Sequence, residues 1–222
     1  MPANQEKLLP YALSTVQRCK DILDIRDVTL DPVIMRMINA ASDFIQAACN
    51  GRRFLRQTYT NEVYSASNTK QKYLVLRQCP VYSLTSFQYR AGPPSAPNWT
   101  SFITDQFEMI NPQTDIAGVT YWPSGIIRIY GYIPMLYNNM TRVTYTAGYL
   151  IDFDNAGDVT KHTLPADLSR LCDNLVVRWL KRRDFAGMNA KTLDASTINW
   201  RDKMDQDDQD IIGQYRVVST TM

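Results

Sequence analysis

Histidine is almost absent from this chain. His162 is the only one in 222 residues, which excludes a multi-histidine metal site and an H-E-x-x-H zinc motif. A Ser/His/Asp triad would have to use it, yet it stands in a polar stretch and no G-x-S-x-G elbow occurs. His162 therefore reads as a loop residue exposed to solvent. Glycine is scarce as well. The nine glycines fall mostly at turns and form neither a G-x-x-x-x-G-K-[ST] phosphate loop nor a G-x-G-x-x-G fingerprint. Cys19, Cys49, Cys79 and Cys172 make no C-x-x-C pair. The first, second and fourth lie on apolar faces of predicted helices and read as small buried hydrophobes in a reducing compartment. No apolar run approaches the ~20 residues that span a bilayer, so no membrane partner is expected. The segment Met1–Lys7 is polar, without the apolar core of a secretion signal. Net charge is only +2, short of the basic excess of a dedicated nucleic-acid binder.

The carboxylates give no catalytic pattern. Asp205, Asp207, Asp208 and Asp210 lack the glycine and the closing glutamate of a calcium loop. They read as a solvated helix face or an N-terminal turn. Nothing singles out a carboxylate pair for glycoside hydrolysis. The expectation is a protein that is not an enzyme and uses no cofactor or metal.

What is present is a change of period along the chain. Ser14 and Gln17 have capping-box spacing, and Val16, Cys19, Ile22 and Leu23 supply an apolar face, predicting a helix at about 15–24. Asp31 and Pro32 are N-cap and N1 residues for a second helix. Its apolar face is Val33, Ile34, Met37, Ile38, Ala41, Ile45 and Ala48, and it stops at Asn50-Gly51. A third helix, at 165–184, carries Leu164, Leu168, Leu171, Cys172, Leu175, Val176, Trp179 and Leu180 on one stripe. Asp167, Arg170, Asp173, Lys181 and Arg182 face away from it.

Between the second and third helices the period falls to two. Residues 58–64, 73–77, 81–89, 107–110, 119–122, 126–130 and 142–146 read as short strands, interrupted by the proline-rich 91–97. Their aromatic residues alternate with polar ones, as sheet core does. The fold class expected is α+β, a small helical bundle with an inserted antiparallel β module, either sheet or barrel, and an extended C-terminal tail. The boundaries expected within a single domain spanning 1–222 are a helical core at 14–52 and 164–186, a β insertion at 53–150 and a tail at 188–222.

Two basic clusters close the helices: Arg52 and Arg53, and Lys181, Arg182 and Arg183. They complement helix C-terminal dipoles. The same residues would serve an inter-subunit contact or a DNA-channel lining, or the phosphate footprint of a nucleic-acid-binding module. In the tail, Ile211, Ile212, Tyr215, Val217 and Val218 follow a polar stretch. Gly213 allows a bend, and the residues beyond it favour an extended strand able to join a partner's sheet edge.

Three segments, in order, carry a family resemblance. The first runs from Leu30-Asp-Pro-Val-Ile to Gly51-Arg-Arg-Phe54. The second is Val143-Thr-Tyr-Thr-Ala-Gly-Tyr149, running on to Leu164-Pro-Ala-Asp-Leu168 and Lys181-Arg-Arg-Asp184. The third is Ile211-Ile-Gly-Gln-Tyr-Arg-Val-Val218. Together they resemble the head–tail connector (adaptor, or head completion) proteins of tailed bacteriophages. The resemblance implies a structural virion protein at the head–tail interface, present in the host cytoplasm during assembly. It implies a homo-oligomeric ring, usually twelvefold, docked on the portal protein, with its lumen continuing the channel through which DNA passes without sequence-specific contact. The next neck or tail protein would attach on the other side. Ile211, Ile212, Tyr215, Arg216, Val217 and Val218 become the expected portal-binding residues. Arg52, Arg53, Lys181, Arg182 and Arg183 become the expected inter-subunit or channel-lining ones.

Overall fold

The computed structural model describes residues 7–65, 72–93, 95–130, 140–183, 190–193, 196–199 and 205–216. They form two compact units. One comprises the chain up to Gly51 with Ile151–Ala156 and Thr163–Arg216, and the other Arg52–Leu150 with Gly157–His162. The class is α+β, as the change of period predicts. Among the described residues no helix is long and apolar enough to cross a membrane.

The first unit is helical. Helix α1 (Val16–Leu23) is capped by Thr15, whose hydroxyl accepts from the Arg18 backbone N–H at 3.3 Å. The expected cap, Ser14, is instead fully buried and donates its hydroxyl to Asp173. Ile22, expected on the apolar face, is 55% exposed.

Helix α2 (Asp31–Ala48) starts one residue earlier than expected. Leu30 occupies the N-cap position without a side-chain bond, and the Asp31 carboxylate turns to Lys20 Nζ at 2.9 Å. An ion pair to α1 thus takes the carboxylate that local capping chemistry would use.

Helix α3 (Ala166–Arg183) lies against α2. Ile34, Ile38, Ala41 and Ile45 of α2 and Leu168, Leu171, Cys172, Leu175 and Val176 of α3 are buried. Trp179, at the stripe's edge, is half-buried and meets Phe44 edge-on at 6.4 Å. Helix α4 (Gln206–Tyr215) completes the set, and Ala190–Leu193 pairs with Ser196–Asn199 as an antiparallel hairpin.

Among its described residues the second unit has nine strands: β1 (Gln57–Ser65), β2 (Tyr73–Val75), β3 (Val81–Arg90), β4 (Trp99–Ser101), β5 (Phe107–Met109), β6 (Gln113–Thr114), β7 (Thr120–Tyr121), β8 (Ile126–Ile129) and β9 (Met140–Ala147). They pair antiparallel in open sheets rather than a barrel. The orders are β1-β9-β3-β4, β2-β8-β5 and β6-β7. Strand β9 is central, so its alternation is strict: Thr141, Val143, Tyr145 and Ala147 are buried and their neighbours half-buried. Val143, Tyr145 and Ala147 meet Leu74, Leu76, Val81, Phe87, Phe102, Ile127 and Ile129 in one core. Much of the aromatic content is sheet core, as expected. Phe87 stacks on Phe102 at 4.2 Å and Tyr59 on Tyr145 at 5.3 Å.

A bulge in β1 at Asn61, with φ of 54°, shifts the register between Tyr59 and Glu62. It brings Glu62 to the tyrosine hydroxyls of the core. Tyr145 donates to Glu62 at 2.5 Å, Tyr64 donates to the same carboxylate oxygen, and Arg77 lies 3.3 Å from the other. Two otherwise costly buried hydroxyls are thereby paired.

Candidate assembly surfaces

Gln214 and Tyr215 are helical where sequence reasoning expects extension to begin beyond Gly213. Helix α4 runs through Gly213 to Tyr215, and Arg216 at its C-cap is extended. It lies antiparallel to α3. At one end Arg178 Nη2 of α3 bonds Asp205 and Asp208, each at 2.9 Å. At the other, the Tyr215 hydroxyl is 2.9 Å from both Asp167 carboxylate oxygens. Antiparallel packing also sets the two helix dipoles favourably.

Between those anchors Ile211 and Ile212 are 7% and 4% exposed, so they belong to the unit's own core rather than to a free tail. The Ile212 carbonyl faces the Cys49 thiol at 3.9 Å, and Arg216 Nε donates to the Ala48 carbonyl at 3.3 Å. Val217 and Val218 lie outside the described residues. The acidic run is an N-terminal turn, as expected, but Asp208 is buried on Arg178 rather than solvated. Sequence reading missed the α3–α4 pairing because Asp167 and Arg178 lie beside the apolar stripe, where charge normally meets water.

Asp173 was missed for the same reason. Expected to face outward, it is 2% exposed and accepts from Arg18 Nη2 at 2.8 Å and from Ser14. Cys19 Sγ stands 3.7 Å from it. Burial, then the Asp173 charge, pushes the Cys19 thiol from its ordinary 9.0 up to about 12. Burial likewise pushes Cys172 up to about 12. Such thiols are protonated and shielded, the opposite of activated nucleophiles.

A raised folded-state value means the native state keeps its proton longer, so this contribution is intact below pH 9 and lost as pH climbs through about 12. The buried Tyr64 and Tyr145 hydroxyls, raised chiefly by desolvation, act in the same direction. The urea midpoint is expected to be lower at pH ~10.5 than at pH ~8. An unchanged midpoint would place these groups in solvent.

In the β unit, two segments singled out by resemblance meet. The Tyr149 N–H donates to the Phe54 carbonyl at 2.6 Å, the Arg56 N–H donates to the Tyr149 carbonyl at 2.8 Å, and the two rings stack at 6.5 Å. Gly148 sits between them with φ of 107°, a conformation open to glycine. Arg52, expected at a contact or lumen, is 5% exposed. Its Nε donates to the Cys79 carbonyl at 3.1 Å, and its guanidinium lies 5.5 Å from the Phe54 ring centroid. Its charge thus organises the entry to the β unit. Arg53 is exposed, with its backbone N–H on Gln78 Oε1 at 2.7 Å. On α3, Lys181 is exposed and Arg182 half-buried, while the Arg183 side chain lies outside the described residues.

His162, expected exposed, is half-buried, with its backbone N–H on the Asp158 carbonyl. Among the described residues no three His, Cys, Asp or Glu side chains are grouped to hold a metal ion.

A family model described as head completion protein matches residues 12–218, nearly the whole chain, from the entry to α1 through the end of α4. The chain belongs to the head completion protein family. No curated protein matches it. A head completion protein is structural, a component of the phage virion that works with other head and neck proteins. The match spans residues of both units.

Proposed function

We propose that this head completion protein forms a homo-oligomeric ring, expected twelvefold, at the head–tail interface of a tailed phage. The ring docks onto the portal protein and continues the DNA channel without sequence-specific contact. Its other side receives the next neck or tail protein and opens the path for genome ejection. The observation that carries this reading is the family match over residues 12–218, which takes in all three segments of the connector resemblance in order. The modest net charge of +2 suits a channel in which DNA slides rather than sticks.

The portal contact is assigned to the segment around Arg216, Val217 and Val218. Ile211 and Ile212, buried in the helical unit, and Tyr215, bonded to Asp167 of α3, hold the root of that segment. An anchored root lowers the entropy cost of presenting the segment to a partner. Exposed Arg53 and Lys181, with Arg182 and Arg183, are the proposed inter-subunit or channel-lining cations. Arg52 contributes by positioning Arg53's segment.

Truncation tests the portal assignment, and the fold dictates where to cut. Removal after Asp210 would strip the buried Ile211 and Ile212 and confound docking with stability. Removal after Arg216 spares α4. The shortened protein is expected to keep its melting temperature and to lose co-sedimentation with portal. Portal binding equal to that of the full chain would remove residues 217–222 from the contact.

A further inference from the structure

The outer face of the β2-β8-β5 sheet carries an aromatic and basic patch. Tyr73 of β2 lies directly across from Arg128 of β8, which in turn lies across from Glu108 of β5. Tyr130, two residues after Arg128, falls on the same face. The Arg128 guanidinium sits between the two rings, 5.8 Å and 5.9 Å from their centroids, and is steadied by the Tyr73 hydroxyl at 3.3 Å and Glu108 at 3.4 Å. Tyr73 and Tyr130 remain 45% and 44% exposed. With Lys72 they border a cleft of about 400 Å³. Tyrosine and arginine are the residue types that dominate interface energetics. An arginine already held in place loses little freedom when a partner arrives.

The helical unit carries the complementary character. At the corner joining α1 to α2, Val28 and Ile22 are 69% and 55% exposed. Around them stand three exposed carboxylates, Asp21, Asp24 and Asp27, against one cation, Arg26. Lys20 and Arg18 are already paired, with Asp31 and Asp173. The corner is therefore apolar with an acidic excess, and the sheet patch is aromatic with a basic one.

We propose that the α1–α2 corner of one copy docks on the Tyr73–Arg128–Tyr130 face of the next. A ring needs two different, mutually complementary surfaces on each subunit, because a head-to-tail contact repeated by rotation closes only that way. The corner and the patch meet that requirement in both polarity and charge. This inference rests on the ring reading.

The test is a charge swap in the full-length protein, followed by native mass measurement under conditions where the unaltered chain assembles. Arg128→Glu and the double substitution Asp21→Lys/Asp24→Lys are each expected to shift the mass from ring to the 25.5 kDa monomer. Combining them is expected to restore the ring. Lys72→Glu makes a second reversal on the same patch and is expected to weaken assembly should Arg128→Glu disturb folding, as read by circular dichroism. Rings that persist in all the reversed variants, or no recovery in the combination, overturn the inference while leaving the ring itself standing. Loss of DNA retention with ring mass unchanged would overturn it too and assign the patch to nucleic acid. An unaltered chain that stays monomeric with portal present would remove the ring reading and this contact together.

Discussion

Gly148→Ala is expected to destabilise the β unit by about 2–6 kcal/mol, summing backbone strain at positive φ with overpacking. The conformation, φ of 107°, disfavours any side chain. The space is closed as well. A Cβ would stand 2.7 Å from the Leu55 carbonyl oxygen and 2.8 Å from the Phe54 carbonyl oxygen. Both are backbone atoms held by the bridge between Leu55 and Tyr149, so neither can rotate aside. The substitution should therefore break the seam where the segment leaving α2 meets the end of β9. Chemical denaturation followed by tyrosine fluorescence measures it. A loss below ~1 kcal/mol would mean that the seam relaxes without cost.

Leu171→Ala comes next, with an expected loss of about 2–5 kcal/mol, the range of a leucine whose removal leaves a cavity. Leu171 is fully buried on α3, and its neighbours on the stripe, Leu168, Cys172 and Leu175, are buried too. Leu175→Ala should behave similarly. A loss below ~1 kcal/mol at both would place this face at a contact ordered only on assembly. The matching measurement is the denaturation midpoint of the helical signal.

These two residues also show which parts of the molecule are legible in sequence. Leu171 belongs to a 3.6-residue stripe, and burial follows from that period alone, so α3 and its core face can be read directly. The central strand β9 is equally plain, because a strand covered on one face alternates strictly. Gly148 is different. Its glycine is visible in the sequence, but the close approach of Leu55 that requires it comes from a contact 93 residues away, and no local pattern encodes that.

The same limit explains the errors. Ser14 has capping-box spacing, yet a buried Asp173 claims its hydroxyl and Thr15 takes the cap. Asp173, Asp167 and Arg178 flank an apolar stripe, and their roles depend on partners brought by α1 and α4. The β-prone composition of the C-terminal segment favours extension, but pairing at both ends of α4 and burial of Ile211 and Ile212 outweigh a propensity difference of a few tenths of a kcal/mol per residue. Strand β4, immediately after the proline-rich loop, is three residues long and becomes a strand only through its register with β3.

The candidate surfaces follow suit. The basic clusters stand out in sequence as charge, but burial separates Arg52 from Arg53, and burial depends on the whole β unit. The Tyr73–Arg128–Tyr130 patch combines residues from strands more than fifty positions apart, so only strand register reveals it.

The proposed ring on the portal is directly visible by imaging. Electron microscopy of the purified protein, alone and mixed with portal particles, tests it most directly. An annular density coaxial with the portal is expected, its opening continuous with the portal channel, and lost when the chain ends at Arg216. Portal particles that carry no added density at saturating protein, with the chain remaining monomeric, would contradict it.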